Sequence, residues 1–163
     1  DFVDQSLIIY LIIGVLAFGY FNFRSIAILF MGDVGSISIS FILSYIMINL
    51  IIHTGQISFI IMFSVFGIDS FFTIIERIIK KENITIAHRS HLFQLLSNEL
   101  KFKHLLVSSC YGLIQLSINY LLILTYSNEV YFQYFSIAIL LILCITYVQI
   151  KRYIKLKIKQ NKE

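Results

Sequence analysis

The sequence predicts an all-α fold, a polytopic bundle of about five transmembrane helices in a single domain over residues 1–163. Three observations predict it. The chain is 58% hydrophobic and only 13% charged, whereas a soluble domain is roughly half apolar and a quarter charged. The apolar residues are gathered in long runs, and these runs lack the strict alternation of a membrane barrel strand. The mean hydropathy of +0.85 points to the lipid bilayer as the solvent of this chain.

Each apolar run, taken in chain order, predicts one helix. A span needs roughly 20 residues, because an α-helix rises about 1.5 Å per residue. In lipid a helix is favoured because it satisfies every backbone group within its own segment. The predicted spans are Leu7–Phe23, Ile37–Ile52, Ile57–Ile79, Leu105–Thr125 and Val130–Ile150.

The charges predict the topology of these spans. Simple alternation places all 13 Lys and Arg residues on one side of the membrane. The other side carries Asp1, Asp4, His53 and Glu129. Basic loops stay in the cytoplasm, so we expect an outward N-terminus and a cytoplasmic C-terminus. Residues 80–104 become a cytoplasmic loop with an amphipathic helix. Residues 151–163 become a basic cytoplasmic tail, either a topology anchor or a contact with anionic lipid.

The first candidate site is Phe30–Ser36, Phe-Met-Gly-Asp-Val-Gly-Ser, at the start of the second span. Gly32 and Gly35 allow close approach of a ligand to the backbone, and Ser36 is expected to cap the following helix. A helix N-terminus suits a phosphate. Asp33 adds a hard oxygen ligand of the kind that Mg²⁺ takes together with phosphates and waters. The alternative is an ordinary helix start, where the dipole favours an Asp.

The second candidate site is the loop segment 87–100, interpreted as a helix at the membrane surface. Its apolar row is Leu92, Leu96 and Leu100, and its polar row is His91, Gln94 and Asn98. Arg89 and a His could pair with phosphate oxygens. The alternative is an amphipathic connector whose His and Arg side chains are only solvated.

Two further polar stripes lie within the spans. The third span carries Asp69, Thr73, Glu76 and Lys80, and the fourth carries Ser108, Gly112, Gln115 and Asn119. An Asp at the centre of a span costs about 2.5–3.5 kcal/mol, so the first stripe should face protein or a wet cavity. It is either an interhelical hydrogen-bond seam or part of a functional site. The second stripe predicts close helix packing.

These residues together resemble a known family. Phe30–Ser36 resembles the Phe-Met-Gly-Asp-x-Gly-Ser motif of the polyprenyl-phosphate N-acetylhexosamine-1-phosphate transferases, the bacterial glycosyltransferase family 4, relatives of the phospho-N-acetylmuramoyl-pentapeptide translocase. Asn22 and Phe23 resemble the Phe-Asn segment that precedes this motif. Asp69 resembles an Asp in the span before the family's His-containing loop, and His91 resembles the first His of that loop's His-x-His-His pattern.

The sequence departs from the family pattern at two places. Phe93 and Gln94 stand where two further His are common, which resembles a subgroup that reads His-Leu-x-Gln-Leu-Leu. The family's paired Asp motif and its Asn…Asp-Gly motif have no counterpart here. Because both lie upstream in the family, we expect this chain to be the C-terminal half of a larger enzyme.

The resemblance implies a role for each matching residue. Asp33 would be the catalytic carboxylate that holds Mg²⁺, the expected cofactor, and Phe30 would stack on uracil. His91 and Arg89 would face the diphosphate as catalytic residues. The other substrate-binding positions would be Asn22, Gly32, Gly35, Ser36 and Asp69.

The implied reaction transfers N-acetylhexosamine-1-phosphate from a UDP-sugar to undecaprenyl phosphate. GlcNAc-1-phosphate is the first candidate for the transferred group. UMP is released, and a cell-envelope glycan is initiated at the bacterial cytoplasmic membrane. The expected partners are UDP-N-acetylhexosamine, undecaprenyl phosphate, the bilayer and a second copy in a homodimer, with no nucleic acid. Two alternatives stay open, a noncatalytic scaffold or partner fragment and a transporter fragment that uses the Asp69 stripe.

Overall fold

The computed structural model describes residues 2–24, 28–86 and 89–160. Within these ranges the chain forms helices and turns and no β-strand. The elements are α1 (Gln5–Asn22), α2 (Gly32–Thr54), a 3₁₀ helix (Ile57–Phe63), α3 (Ser64–Ile79), α4 (Leu92–Gln94), a π-helical turn (Leu95–Glu99), α5 (His104–Thr125) and α6 (Glu129–Gln160). Asp1, Ala87, His88 and the last three residues of the predicted basic tail lie outside the described residues.

The predicted all-α fold is confirmed. Among the described residues, five helical segments are long and apolar enough to cross a membrane, with the 3₁₀ helix and α3 together forming the third. Two boundaries differ from the prediction by more than two residues. Helix α2 begins at Gly32 rather than Ile37, and α6 continues to Gln160 rather than stopping at Ile150. Lys and Arg are good helix formers, so the basic segment extends the helix beyond the apolar run.

The chain divides into two compact units, Asp1–Ile60 and Ile61–Glu163. The first unit contains α1 and α2. Helix α1 is capped by Asp4, whose carboxylate accepts a hydrogen bond from the Ser6 N–H at 2.8 Å. This hydrogen bond lowers the pKa of Asp4. The Phe2 ring lies 6.0 Å from the His53 ring, so the start of α1 lies beside the end of α2.

In the second unit, α3 runs parallel to α6. Tyr147 donates a hydrogen bond to Asp69, and Lys151 donates one to Thr73. The residue numbers of the partners therefore increase in the same direction along both helices. This direction agrees with the alternation that the sequence predicts, in which the third and fifth spans cross the membrane the same way.

Helix α5 runs antiparallel to α3. Gln115 pairs with Val65, while Tyr111, one turn earlier in α5, pairs with Asp69, one turn later in α3. Near the change from 3₁₀ to α-helix, the Gln115 side chain accepts the Val65 N–H at 2.9 Å and donates to the Ile61 carbonyl at 3.1 Å. It thereby satisfies backbone groups beside the change in helix type.

The predicted close packing of the α5 stripe holds for its second half. Gln115 also donates to Asn119 at 2.8 Å, and both side chains are partly buried. Ser108 is exposed and bonds carbonyls of its own helix. Among the described residues, no neighbouring atom lies within 4 Å of the place where a Cβ of Gly112 would be. Close packing of α5 is therefore wrong for the Ser108–Gly112 turn.

One apolar core cluster of the second unit lies where the loop helix meets α3 and α6. Its buried members are Ile68, Leu92, Tyr147 and Ile154, with Leu96 and Leu100 packed against them. The predicted apolar row of the loop therefore packs on protein. The helical part of the loop is also shorter than the predicted 87–100, since it spans only Leu92–Glu99.

Candidate functional site

The Phe30–Ser36 motif forms the turn into α2. Gly32 has φ +63°, a backbone conformation that residues with a side chain rarely adopt, and it opens the helix. Asp33 therefore lies in the first turn of α2. The predicted cap by Ser36 is wrong, because the helix begins four residues earlier. The Ser36 hydroxyl instead donates to the Asp33 carbonyl at 3.1 Å, within the helix.

Most side chains of this motif are exposed. Phe30 is 84% exposed, and Asp33 is exposed as well. Gly35 has a local reason to be glycine, since a Cβ there would lie 2.6 Å from the Met31 side chain. Among the described residues, no side chain caps the N-terminus of α2. A helix start without such a cap has backbone N–H groups that can bind an anion.

Asn22 connects the end of α1 to this motif. Its side-chain amide donates to the Leu29 carbonyl at 2.9 Å, and the Ile28 N–H donates to the Phe21 carbonyl at 3.2 Å. These bonds hold the residue that precedes Phe30 against the last turn of α1. Asn22 therefore positions the motif.

The described residues can provide only a metal site with few protein ligands. They contain no group of three His, Cys, Asp or Glu side chains that could hold a metal ion. Asp33 contributes one exposed carboxylate. Mg²⁺ is often held by one or two carboxylates together with substrate phosphates and waters. Asp33 thus fits a Mg²⁺ that is completed by the phosphates of a substrate.

In the second unit, the buried carboxylate of Asp69 binds the start of the loop helix. Asp69 is 2% exposed. Its oxygens accept the Leu92 N–H at 2.9 Å and the Phe93 N–H at 3.5 Å. They also accept the hydroxyls of Tyr147 at 2.9 Å and Tyr111 at 3.3 Å. A buried carboxylate needs such donors, so Asp69 ties α3, α4, α5 and α6 together.

His91 is held beside the same carboxylate. Its Nδ1 lies 3.5 Å from Asp69 Oδ1, and its ring stacks on Phe93 with ring centroids 5.6 Å apart. The backbone N–H of His91 donates to the side-chain oxygen of Gln94 at 3.3 Å, as part of a capping box. Phe93 and Gln94, the two departures from the family pattern, therefore both support His91. Arg89 is exposed two residues before it.

The remaining stripe of α3 forms a polar seam with α6. Lys151 donates to Thr73 at 2.8 Å and lies 3.4 Å from the Glu76 carboxylate. Glu76 also pairs with Lys155 and, at 2.8 Å, with Lys80, whose pKa it raises by hydrogen bonding. The contacts favour the interhelical seam over use of the Asp69 stripe by a transporter, which was an alternative for these residues.

Sequence reasoning missed several partners of this seam. In α6, Tyr147, Lys151 and Lys155 recur every four residues and match the stripe of α3. That spacing was the available signal. Arg77 was also missed. It is buried and binds Glu82 at 3.2 Å and the Ile84 carbonyl at 3.3 Å, which fixes the segment that follows α3.

The predicted site residues thus fall into two groups. Within the first unit, α1 and α2 bring together Asn22, Phe30, Gly32, Asp33, Gly35 and Ser36. Within the second unit, Asp69 and His91 are in contact, and Arg89 lies close to His91 in the chain.

Comparison with known proteins gives one family match. Residues 3–51 match the family model described as glycosyl transferase family 4. This segment contains α1 and most of α2, and with them the whole first group of site residues. No curated protein and no solved structure matches the chain. The match supports glycosyl transferase family 4 for residues 3–51.

Proposed function

We propose that this protein transfers N-acetylhexosamine-1-phosphate from a UDP-sugar to undecaprenyl phosphate. GlcNAc-1-phosphate is the first candidate for the transferred group. The observation that carries the proposal is an exposed Asp33 in the first turn of α2, inside the segment that matches glycosyl transferase family 4. Helices of membrane-spanning length support it, because the acceptor is a lipid.

In the proposed reaction, an oxygen of the lipid phosphate forms a bond to the phosphorus that bears the sugar. The bond from that phosphorus to the bridging oxygen breaks, and UMP leaves with the bridging oxygen and its electron pair. Such a transfer depends mainly on positioning and on neutralisation of charge. Asp33 is the residue that would hold Mg²⁺, which supplies positive charge to the diphosphate when bound. The N–H groups at the start of α2 would bind phosphate oxygens directly.

Phe30 is proposed to bind the uracil of the donor. Its ring is 84% exposed, so it is accessible to a ligand. Stacking of a base on an aromatic ring would cover it. Asn22 supports this role by holding the neighbouring Leu29 carbonyl.

His91 and Arg89 are proposed to face the donor diphosphate. The Asp69 carboxylate fixes the orientation of the His91 ring, and Arg89 is exposed nearby. Arg and His suit phosphate oxygens because both can donate charge-assisted hydrogen bonds. Asp69 is buried, and its carboxylate oxygens already accept hydrogen bonds from groups of the protein. We therefore assign Asp69 to positioning of His91 rather than to direct contact with substrate.

The test uses membranes that contain the protein expressed from its complete natural gene. UDP-GlcNAc, undecaprenyl phosphate and Mg²⁺ are supplied, and UMP and lipid-linked sugar phosphate are quantified together. The proposal predicts equal amounts of both products, formed only when the lipid phosphate is present. UDP-GalNAc and UDP-glucose in parallel reactions identify the sugar. UMP release that is independent of undecaprenyl phosphate would contradict the proposal.

A further inference from the structure

An open groove of about 550 Å³ lies between the second half of α3 and the basic part of α6. Its apolar lining, here called the apolar wall, comes from both helices and includes Ile75 and Ile79 of α3 and Leu156 of α6. Five of its twelve described lining side chains are cationic. They are Lys80, Lys151, Arg152, Lys155 and Lys159.

The groove carries a large surplus of positive charge. Among the described residues that line it, five cationic side chains are accompanied by a single carboxylate, that of Glu76. Lys80, Lys151 and Lys155 share this carboxylate. Arg152 and Lys159 add two exposed cations on α6. One carboxylate cannot neutralise this set, so the groove attracts an anion.

We propose that this groove binds an anionic glycerophospholipid. The headgroup phosphate would lie against Arg152 and Lys159, and an acyl chain would lie along the apolar wall at Ile79 and Leu156. Basic pockets between membrane helices bind anionic headgroups in this way. The cations extend over two turns of α6, roughly 12 Å at 1.5 Å per residue. That length suits a headgroup with two phosphates, such as cardiolipin, better than one with a single phosphate.

The combination of charge and apolar surface selects this occupant. A soluble phosphate would gain nothing from the apolar wall, and a neutral lipid would gain nothing from the cations. A basic tail that served only as a topology anchor would respond to the number of its charges and not to their place. Lys103 and Lys157 provide a comparison, since neither lines the groove. The inference rests on contacts within the second unit and is independent of the proposed transfer reaction.

The experiment titrates the purified full chain in detergent with lipids and counts bound molecules by native mass spectrometry. The probes are dioleoyl phosphatidylglycerol, tetraoleoyl cardiolipin and, as the neutral control, dioleoyl phosphatidylcholine. We expect cardiolipin to bind most tightly and phosphatidylcholine least. The variant Arg152→Gln/Lys159→Gln keeps every pair of Glu76 and should weaken binding of phosphatidylglycerol roughly 30-fold. The charge-matched variant Lys103→Gln/Lys157→Gln should weaken it less than about threefold.

A further variant tests the apolar wall. Leu156→Asn keeps all the cations, and it should weaken dioleoyl phosphatidylglycerol but leave the short-chain dihexanoyl lipid unaffected. Circular dichroism of each variant checks that its helices are intact. Equal losses in the two double variants, or equal affinity for phosphatidylglycerol and phosphatidylcholine, would overturn the proposal. Displacement of bound phospholipid by equimolar undecaprenyl phosphate, or a second copy of the chain binding in its place, would overturn it as well.

Discussion

The Asp69 carboxylate accepts the backbone N–H of Leu92 at 2.9 Å, although 23 residues separate them in the chain. A buried side chain of α3 thus binds the first turn of α4 and fixes the residue that follows His91. The same carboxylate receives hydroxyls from α5 and α6. Asp69 therefore adds a polar attachment of the predicted catalytic loop to the packed helices, beside the apolar packing of Leu92, Leu96 and Leu100.

Asp69→Asn tests this attachment. The amide keeps the shape of the side chain but replaces one acceptor with a donor, so a buried N–H or hydroxyl loses its partner. We expect a loss of roughly 1–3 kcal/mol in the free energy of unfolding. The measurement is unfolding by SDS in mixed micelles, followed by circular dichroism. Asp33→Asn removes an exposed carboxylate and should change stability by less than about 0.5 kcal/mol. Equal stability of Asp69→Asn and the parent would show that the attachment contributes nothing.

Gln115→Leu tests the role of Gln115 at the change from 3₁₀ to α-helix in the third span. It removes the partners of the Val65 N–H and the Ile61 carbonyl. Each backbone group left without a partner costs about 1–3 kcal/mol. The same unfolding measurement should therefore show clear destabilisation. Ser108→Ala, in the exposed part of the same stripe, is the control and should remain near the parent. Destabilisation of similar size in both variants would refute the role of Gln115.

The predicted topology is tested by labelling. Cysteines are placed at Asn83 and Asn128 in a chain with Cys110 and Cys144 replaced by Ser. Helix α5 lies between the two sites, and the one-sided distribution of Lys and Arg predicts that Asn83 is cytoplasmic. An impermeant maleimide added to intact cells should label position 128 and not position 83. Labelling of both sites from outside would show that the span order is wrong.

Phe30→Ala tests the proposed uracil contact. Stacking on a base is worth about 1–3 kcal/mol, so the KM for the UDP-sugar should rise roughly 5- to 150-fold while kcat changes little. Phe30→Tyr keeps the ring and should behave as the parent. Phe41→Ala removes a highly exposed Phe that lies within α2, away from the motif, and should leave the KM unchanged. A normal KM for Phe30→Ala would exclude the stacking role.

The spans were predictable because lipid exposure is recorded along the chain as long apolar runs. The capping box of His91 and Gln94 was also within reach, since it depends on residues three apart. The partners of Asp69 were not. Tyr111 and Tyr147 are 42 and 78 residues away, and only the packing of α3 against α5 and α6 brings them together. A polar stripe shows that a partner is required, whereas the fold decides which residue provides it.

The start of α2 was misplaced for a related reason. Ser36 is a favourable capping residue by type, and the run of apolar residues begins after it. The helix nevertheless begins at Gly32, whose positive φ makes the turn without help from a side chain. Local propensity was a weaker guide here than backbone geometry.

The most direct test of the proposed reaction is the turnover of Asp33→Asn. The variant keeps the shape of Asp33 but removes the charge that would hold Mg²⁺. The control is Glu129→Gln, which removes an acidic charge from the first turn of a different helix, α6. UDP-GlcNAc turnover with undecaprenyl phosphate is measured at saturating Mg²⁺ and normalised to the amount of protein in the membrane. We expect Asp33→Asn to lose roughly 100- to 1,000-fold in kcat and Glu129→Gln to match the parent. Near-parental turnover of Asp33→Asn would contradict the assignment of Asp33 to the metal site and reduce the motif to an ordinary helix start.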